Sequence, residues 1–257
     1  MVINFQTPST LLKPFIRSYV VIESGEGAAN RVLPDTSLVM AFRYKGEVAY
    51  VSGGSKNQLP LSVISGLRKS ARLINYSQNA GAILVIFKEA AGSAFFKEPI
   101  HELFGDSVPL YNFINKQKLS IIEEQLAEAD NNTRRIALIE AFLLSQLQNH
   151  NSDKLVMAAV QNIRLNNGSD KIKDVANTLY ISQDAFEKRF RKVTGASPKQ
   201  FSSIIRMKSL IDNGKQNYNL TELAYNSGYF DQAHFNKDFR LFTGQTPTDF
   251  FRSPVFW

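Results

Sequence analysis

The side chains best suited to covalent or metal chemistry are scarce in this chain. It has no cysteine, and its three histidines, His101, His150 and His234, share no local motif. That excludes disulfides, thiolate nucleophiles and Cys-rich zinc sites, and it leaves a cupin-like metal enzyme without its cluster of His and carboxylate ligands. Gly25-Glu26-Gly27 lacks the third glycine of a dinucleotide loop, and Gly53-Gly54-Ser55-Lys56 lacks the spacing of a phosphate loop. No Gly-x-Ser-x-Gly nucleophile elbow is present. We therefore expect no catalytic residue, no metal and no cofactor. The residue types that do form a pattern are amides, acids and long cations. Gln232, Ala233, Asn236, Lys237 and Arg240 recur at helical spacing in one stretch, and Asp184, Glu187, Lys188 and Arg191 in another. Such a set can read base edges in a major groove: Asn or Gln pairs with adenine, Lys or Arg with guanine, and Glu accepts from cytosine.

The elements that must position these residues are duplicated. Residues 186–201 and 235–250 align at a shift of 49 with eight of sixteen pairs identical, among them Phe186/Phe235, Phe190/Phe239, Arg191/Arg240, Thr194/Thr243, Gly195/Gly244, Pro198/Pro247 and Phe201/Phe250. Upstream, Ile172-Lys173-Asp174-Val175-Ala176 matches Leu220-Thr221-Glu222-Leu223-Ala224 at a shift of 48, so a one-residue difference falls in the intervening turn. Each copy reads as helix, turn, helix. Ala176 and Ala224 allow a second helix to cross closely, Gly228 suits the turn, and Ser182 and Asp231 are placed to cap the second helix. Phe186 with Phe190, and Phe235 with Phe239, stand four apart and face a core together, which frees the opposite face.

A length of 257 residues favours two domains. With 44% hydrophobic and 21% charged residues, both halves should fold. The net charge of +7 is concentrated after residue 150, where 15 basic residues face 10 acidic ones, against 15 and 13 before it. A basic second half fits a polyanionic partner, and by itself fits a solvated surface equally well. Between Tyr19 and Phe87 the sequence offers evenly spaced short β-rich runs separated by Pro34-Asp35, Lys45-Gly46 and Gly53-Gly54, the pattern of an antiparallel barrel or sandwich. A short helical stretch around Ala94-Phe95-Phe96 follows. Two longer amphipathic helices then carry stripes at Leu119, Ile122, Leu126, Ala129 and at Ile136, Ile139, Leu143, Leu144, Leu147. These helices either cap the sheet or form a homodimer. The polar run from Gln148 to Asp153 is the linker candidate, and a helix over 155–165 stops at Asn166-Asn167-Gly168. The expected fold class is α+β: residues 1–150 form a β-rich sensor or dimerisation domain with trailing helices, and 151–257 form an all-α domain of two helix-turn-helix units. The longest apolar run, Ala80 to Phe87, is too short for a membrane span or a secretory signal, so a soluble, cytoplasmic protein is expected.

The run from Ala224 to Pro247, with Gly228, Tyr229, Phe235, Phe239, Thr243 and Gly244, closely resembles the signature of the AraC family of bacterial transcription regulators, and the resemblance covers about 155–252. It implies two helix-turn-helix units joined by a long helix, here about 198–212, with their second helices in successive major grooves of duplex DNA. Base reading would fall to Gln232, Ala233, Asn236, Lys237, Asp184, Glu187 and Lys188, and phosphate contacts to Arg191, Arg206 and Arg240. Asp184 and Glu187 depart from the usual pattern and direct the first reading helix to few or cytosine-side contacts, Asp238 adds an acid near the second, and Ser209 stands where Ala is common. Arg31-Val32-Leu33-Pro34-Asp35 and Ile86-Phe87-Lys88 look like the sensor domains of one AraC-type subgroup. That implies a small-molecule effector or a homodimer and, for an activator, contact with RNA polymerase. The rival classes are a cupin-like enzyme and a protein-interaction or RNA-binding module.

Overall fold

The computed structural model describes residues 1–98, 100–148, 152–214, 220–226, 228–229 and 231–252. Its first part is an antiparallel sheet of eight strands: β1 (Val2–Gln6), β2 (Ile16–Val32), β3 (Val39–Lys45), β4 (Val48–Ser52), β5 (Ser55–Gln58), β6 (Ser62–Ser65), β7 (Arg72–Phe87) and β8 (Ser107–Pro109). The order is β1-β2-β7-β3-β6-β8, with β4 beside β7 and β5 beside β4. β3 and β4 continue one row along β7, Val39 facing Ile86 at one end and Val51 facing Leu73 at the other. The strands are therefore less even than the sequence predicts. Arg72-Leu73-Ile74 and Ile83 to Phe87, separate apolar runs in the sequence, are the two ends of the single strand β7, paired along its length with the similarly long β2. Their polar middles, Ser24 to Asn30 and Asn75 to Gln78, carry no apolar alternation, and only the cross-strand ladder reveals them as strand.

The pleat divides the sheet into two faces. Tyr19, Val21, Met40, Phe42, Ile83, Val85 and Phe87 pack on one side against α1 (Lys116–Glu128) and α2 (Asn132–Gln146). Most of the predicted stripes are spent on that core: Leu119, Ile122, Leu126, Ile139 and Leu143 are buried in it and Ile136 and Leu147 partly so, while Ala129 only ends α1 and Leu144 is exposed. Asn115 and Asn131 cap the two helices by accepting from backbone N–H groups of their first turns. The other sheet face carries Val20, Ile22, Val48, Tyr76, Ala80 and Ala82.

From residue 152 on, the described elements are helices: α3 (Lys154–Leu165), α4 (Ile172–Thr178), α5 (Gln183–Thr194), α6 (Pro198–Gly214), α7 (Leu220–Asn226), α8 (Gln232–Thr243) and α9 (Pro247–Arg252). The proposed boundary at 150/151, and Asn149 to Asn151 of the linker candidate, lie outside the described residues. The helical core also takes in Leu67, buried, and the partly buried Leu33, Ala90 and Phe104 from the first half. Further ties cross between the halves. Glu89 binds Arg164, Asp35 binds Lys208, and Arg31 donates to the carbonyl of Thr243 at 3.4 Å.

The sequence repeat is a structural repeat down to single hydrogen bonds. Thr194 donates to the Phe190 and Ala196 carbonyls at 2.9 and 3.1 Å, and Thr243 to those of Phe239 and Gln245 at 2.8 and 3.0 Å. The turns also correspond. The backbone N–H of Ile181 reaches the Ala176 carbonyl, and that of Tyr229 the Ala224 carbonyl, at 3.2 and 3.1 Å. Each turn holds one left-handed residue at the same place, Tyr180 (φ 54°) and Gly228 (φ 78°), so the extra residue of the second copy falls after it. Tyr180 is almost fully exposed and bears the left-handed penalty that Gly228 avoids. Tyr180→Gly should raise stability by up to about 1 kcal/mol in urea unfolding, since the relieved strain outweighs the added chain entropy. A loss of stability would mean that the tyrosine ring contributes a contact.

Candidate nucleic-acid interface and the cavity behind it

Each reading helix is fixed at both ends and along its inner face. Ser182 accepts from the Ala185 N–H and Asp231 from the His234 N–H at the N-termini, while Gly195 and Gly244 close the C-termini in the left-handed conformation. Phe186, Phe190 and Phe201 form one edge-to-face chain with ring centroids 5.5 and 5.3 Å apart, and Phe235, Phe239 and Phe250 form another at 5.6 and 5.3 Å. The opposite faces are thereby presented outward. Gln232, Ala233, Asn236, Lys237 and Arg240 are all exposed on α8, as are Asp184, Lys188 and Arg191 on α5, with Glu187 half-buried.

Among the described residues, the side chains of Gln232, Asn236, Lys237, Arg240, Lys188 and Arg191 have no hydrogen-bond or ion-pair partner. Glu187 accepts from Gln183 at 2.9 Å. Gln183 is exposed and is the counterpart of Gln232 at the shift of 49. It shares this face with Asp184, Glu187 and Lys188, and the shift of 49 in the repeat is the signal that marks it. Arg189, also exposed on α5, points elsewhere: it binds Asp153, the N-cap of α3, at 2.6 Å, and this partner holds the Asp153 carboxyl below the usual carboxylate range against the opposing effect of its desolvation.

Arg206 stands apart from the other two predicted phosphate ligands. It is half-buried on α6 with its guanidinium 5.3 Å from the centre of the Tyr229 ring, and its Nε is buried without a hydrogen-bond partner. Burial pushes the Tyr229 hydroxyl up to about 12, with Arg206 opposing the rise, and the hydroxyl donates to Asp238 at 3.4 Å. Asp238 also faces His234 at 3.4 Å. The acid near the second reading helix is thus part of the seam joining α6 to that unit. With 17 residues, α6 spans about 25 Å, enough to hold the two units well apart.

Behind the helices lies a cavity of about 1160 Å³. Its floor is the second sheet face, where alternate residues such as Val20, Ala41, Val63, Leu84 and Ile86 point, and its far wall includes Lys208, Ile211 and Asp212 of α6 and Phe250 and Phe251 of α9. At the junction Asp35 bridges Arg17, 3.2 Å away on the sheet, and Lys208 on the joining helix. These two cations hold its carboxyl far below the usual range despite its burial. Sequence spacing could not reveal this site, because its walls come from seven strands and two distant helices.

Among the described residues no three His, Asp or Glu side chains gather to hold a metal ion, and no helix is long and apolar enough to cross a membrane.

The duplicated unit on its joining helix, set against an antiparallel sheet domain, defines a two-unit helix-turn-helix protein. In sequence, a helix-turn-helix domain family matches residues 175–253, and a domain family of unknown function (DUF6597) matches residues 4–109. The Msm operon regulatory protein of Streptococcus mutans serotype c (strain ATCC 700610 / UA159) is 31% identical over 155 residues, which cover 58% of this chain and 55% of that protein. The chain therefore spans about half the length of the curated relative it matches. Among solved structures it is similar to ToxT from Vibrio cholerae, with a TM-score of 0.49 and 10% identity over 91% of this chain and 97% of that one. It is also similar to the AraC-like transcriptional activator CuxR, with a TM-score of 0.28 and 11% identity over 88% and 90% of the two chains. The C-terminal part, residues 175–253, thus belongs to a helix-turn-helix domain family.

Proposed function

We propose that this chain regulates transcription by binding a specific duplex DNA site, α8 and α5 entering the major groove and α6 setting their separation. The observation that carries this reading is the unpartnered outward stripe of α8, Gln232, Ala233, Asn236, Lys237 and Arg240, on a helix whose other face is locked into an aromatic core. Amides and cations at these positions match base edges and phosphates, and the first unit presents Asp184, Glu187 and Lys188 in the same register. Base reading falls mainly to Gln232 and Asn236, and phosphate holding to Arg191 and Arg240. Arg206, stacked on Tyr229, fits better as the brace of the second unit.

The sheet domain is the control element in this proposal, with a small-molecule effector in its cavity. A homodimer through the stripes of α1 and α2 is not part of it, because most of those side chains are buried against their own sheet and Leu144 alone of their leucines and isoleucines is exposed. An activator would in addition touch RNA polymerase. We divide the chain near residue 150 in line with its separate sheet and helix cores, joined by the contacts of Asp35, Glu89 and Leu67.

A gel shift tests the proposal. The chain should retain duplex DNA and not single-stranded RNA, and Arg191→Ala or Arg240→Ala should weaken retention on every duplex and lower the salt slope by about one unit each. An unchanged slope in both variants would place the arginines outside the interface, and equal retention of RNA would favour an RNA-binding module.

A further inference from the structure

We infer that the two helix-turn-helix units divide the work on DNA: the first grips the phosphate backbone by charge, through Lys171, Lys173 and Lys192 besides Arg191, and the second selects the sequence. The division rests on the DNA-binding function proposed for the two units, and it assigns affinity to one and specificity to the other.

Corresponding positions of the repeat differ in charge. Residues 171–201 carry seven basic and three acidic side chains, and the matching residues 219–250 carry two and four. Lys188 and Arg191 have cationic counterparts in Lys237 and Arg240. Lys171, Lys173, Lys192 and Lys199 do not: Asn219, Thr221, Leu241 and Thr248 stand in their places. All four lysines are exposed, and among the described residues none has a hydrogen-bond or ion-pair partner. Lys171 and Lys173 open α4, the helix that crosses the backbone when the second helix of such a unit lies in the groove. Lys192 follows Arg191 at the edge of the outward face of α5, opposite the buried Phe186 and Phe190.

The base-reading positions differ in the opposite sense. On α8 they hold the neutral Gln232, Ala233 and Asn236, and among the described residues both amides are unpartnered. At the same places α5 has Gln183, Asp184 and Glu187, and the Gln183 amide donates to the Glu187 carboxylate at 2.9 Å. To meet a base edge this amide must give up that bond, and the two carboxylates beside it repel phosphates. The first unit thus has weak means of discrimination and an excess of cations to hold a polyanion in spite of its acids. Phosphate contacts supply affinity and salt dependence without regard to sequence, whereas base-edge contacts discriminate.

Fluorescence anisotropy of the full chain tests the division, on a duplex selected by it from a random pool and on a random duplex, each across a salt series. Lys171→Gln, Lys173→Gln and Lys192→Gln combined should lower the salt slope by about three units on both duplexes and change the ratio of the two affinities by less than about twofold. Leu241→Lys places the Lys192 cation at the matching, exposed position of the second unit and should raise the slope by about one unit on both. Asp184→Ala with Glu187→Asn gives α5 the residues of α8, and a pool selected by that variant should gain base preference in the half of the site under α5. A slope unchanged in the triple variant, a large fall in its affinity ratio, or a wild-type site as strictly defined under α5 as under α8 would each overturn the inference while leaving DNA binding in place. A chain that binds no duplex at all would overturn the DNA-binding proposal itself, and the division with it.

Discussion

Phe239→Ala is expected to destabilise the protein by about 3 to 5 kcal/mol, the largest effect foreseen for any single substitution considered. The ring is fully buried and meets Phe235, Phe250 and Phe251 at centroid distances of 5.6, 5.3 and 5.7 Å, so truncation leaves a cavity walled by three edge-on or tilted rings that cannot all close over it. A loss of that size is a large share of a typical domain's stability. The second helix-turn-helix unit should melt and specific DNA binding should go with it. Because Phe190 has the same place in the first unit, edge-to-face with Phe186 and Phe201, Phe190→Ala should cost a similar amount. Urea unfolding of the two variants checks both the size and the equivalence. A cost under about 1 kcal/mol at either position would contradict a tightly packed repeat.

Asn236→Ala should cost about 1 to 3 kcal/mol of affinity at the specific site and little on random duplex, with stability unchanged. The side chain is exposed, has no partner among the described residues, and stands one turn after Gln232 on a helix whose inner face is fixed by Phe235 and Phe239. Removing it would therefore take away the proposed base contact and disturb no packing. Competition binding with a selected site and with random duplex measures the two affinities separately. Equal weakening on both would assign Asn236 to the phosphate backbone, and no change on either would remove it from the interface.

The helical half was legible because its signals are local. Phenylalanines four apart, a Thr-Gly pair after each reading helix and a capping residue before it all act within a few residues, and the structure places each in the role its spacing implies. Duplication made the pattern doubly readable, including the turn shift that Tyr180 and Gly228 now explain. The sheet was legible in class and less so in detail. Short apolar runs mark the ends of β2 and β7, but their polar middles are held by partners fifty residues away, and the edge strands β1, β5 and β8 were not foreseen. The cavity was hidden for the same reason, with Asp35, Arg68 and Lys208 distant in sequence and joined only by the fold. Arg206 is a mixed case: helical register places it on the joining helix, and only the packing of Tyr229 reveals what its guanidinium touches.

In the proposed function α5 and α8 read one duplex together. Its most direct test is a hydroxyl-radical footprint of the full chain on a duplex selected by it from a random pool. Two protected patches on one face of the DNA, about one helical turn (10 to 10.5 base pairs) apart, are predicted, with Asn236→Ala weakening only the patch under α8. A pool that yields no preferred duplex, or a single patch that persists unchanged in Asn236→Ala, would contradict it.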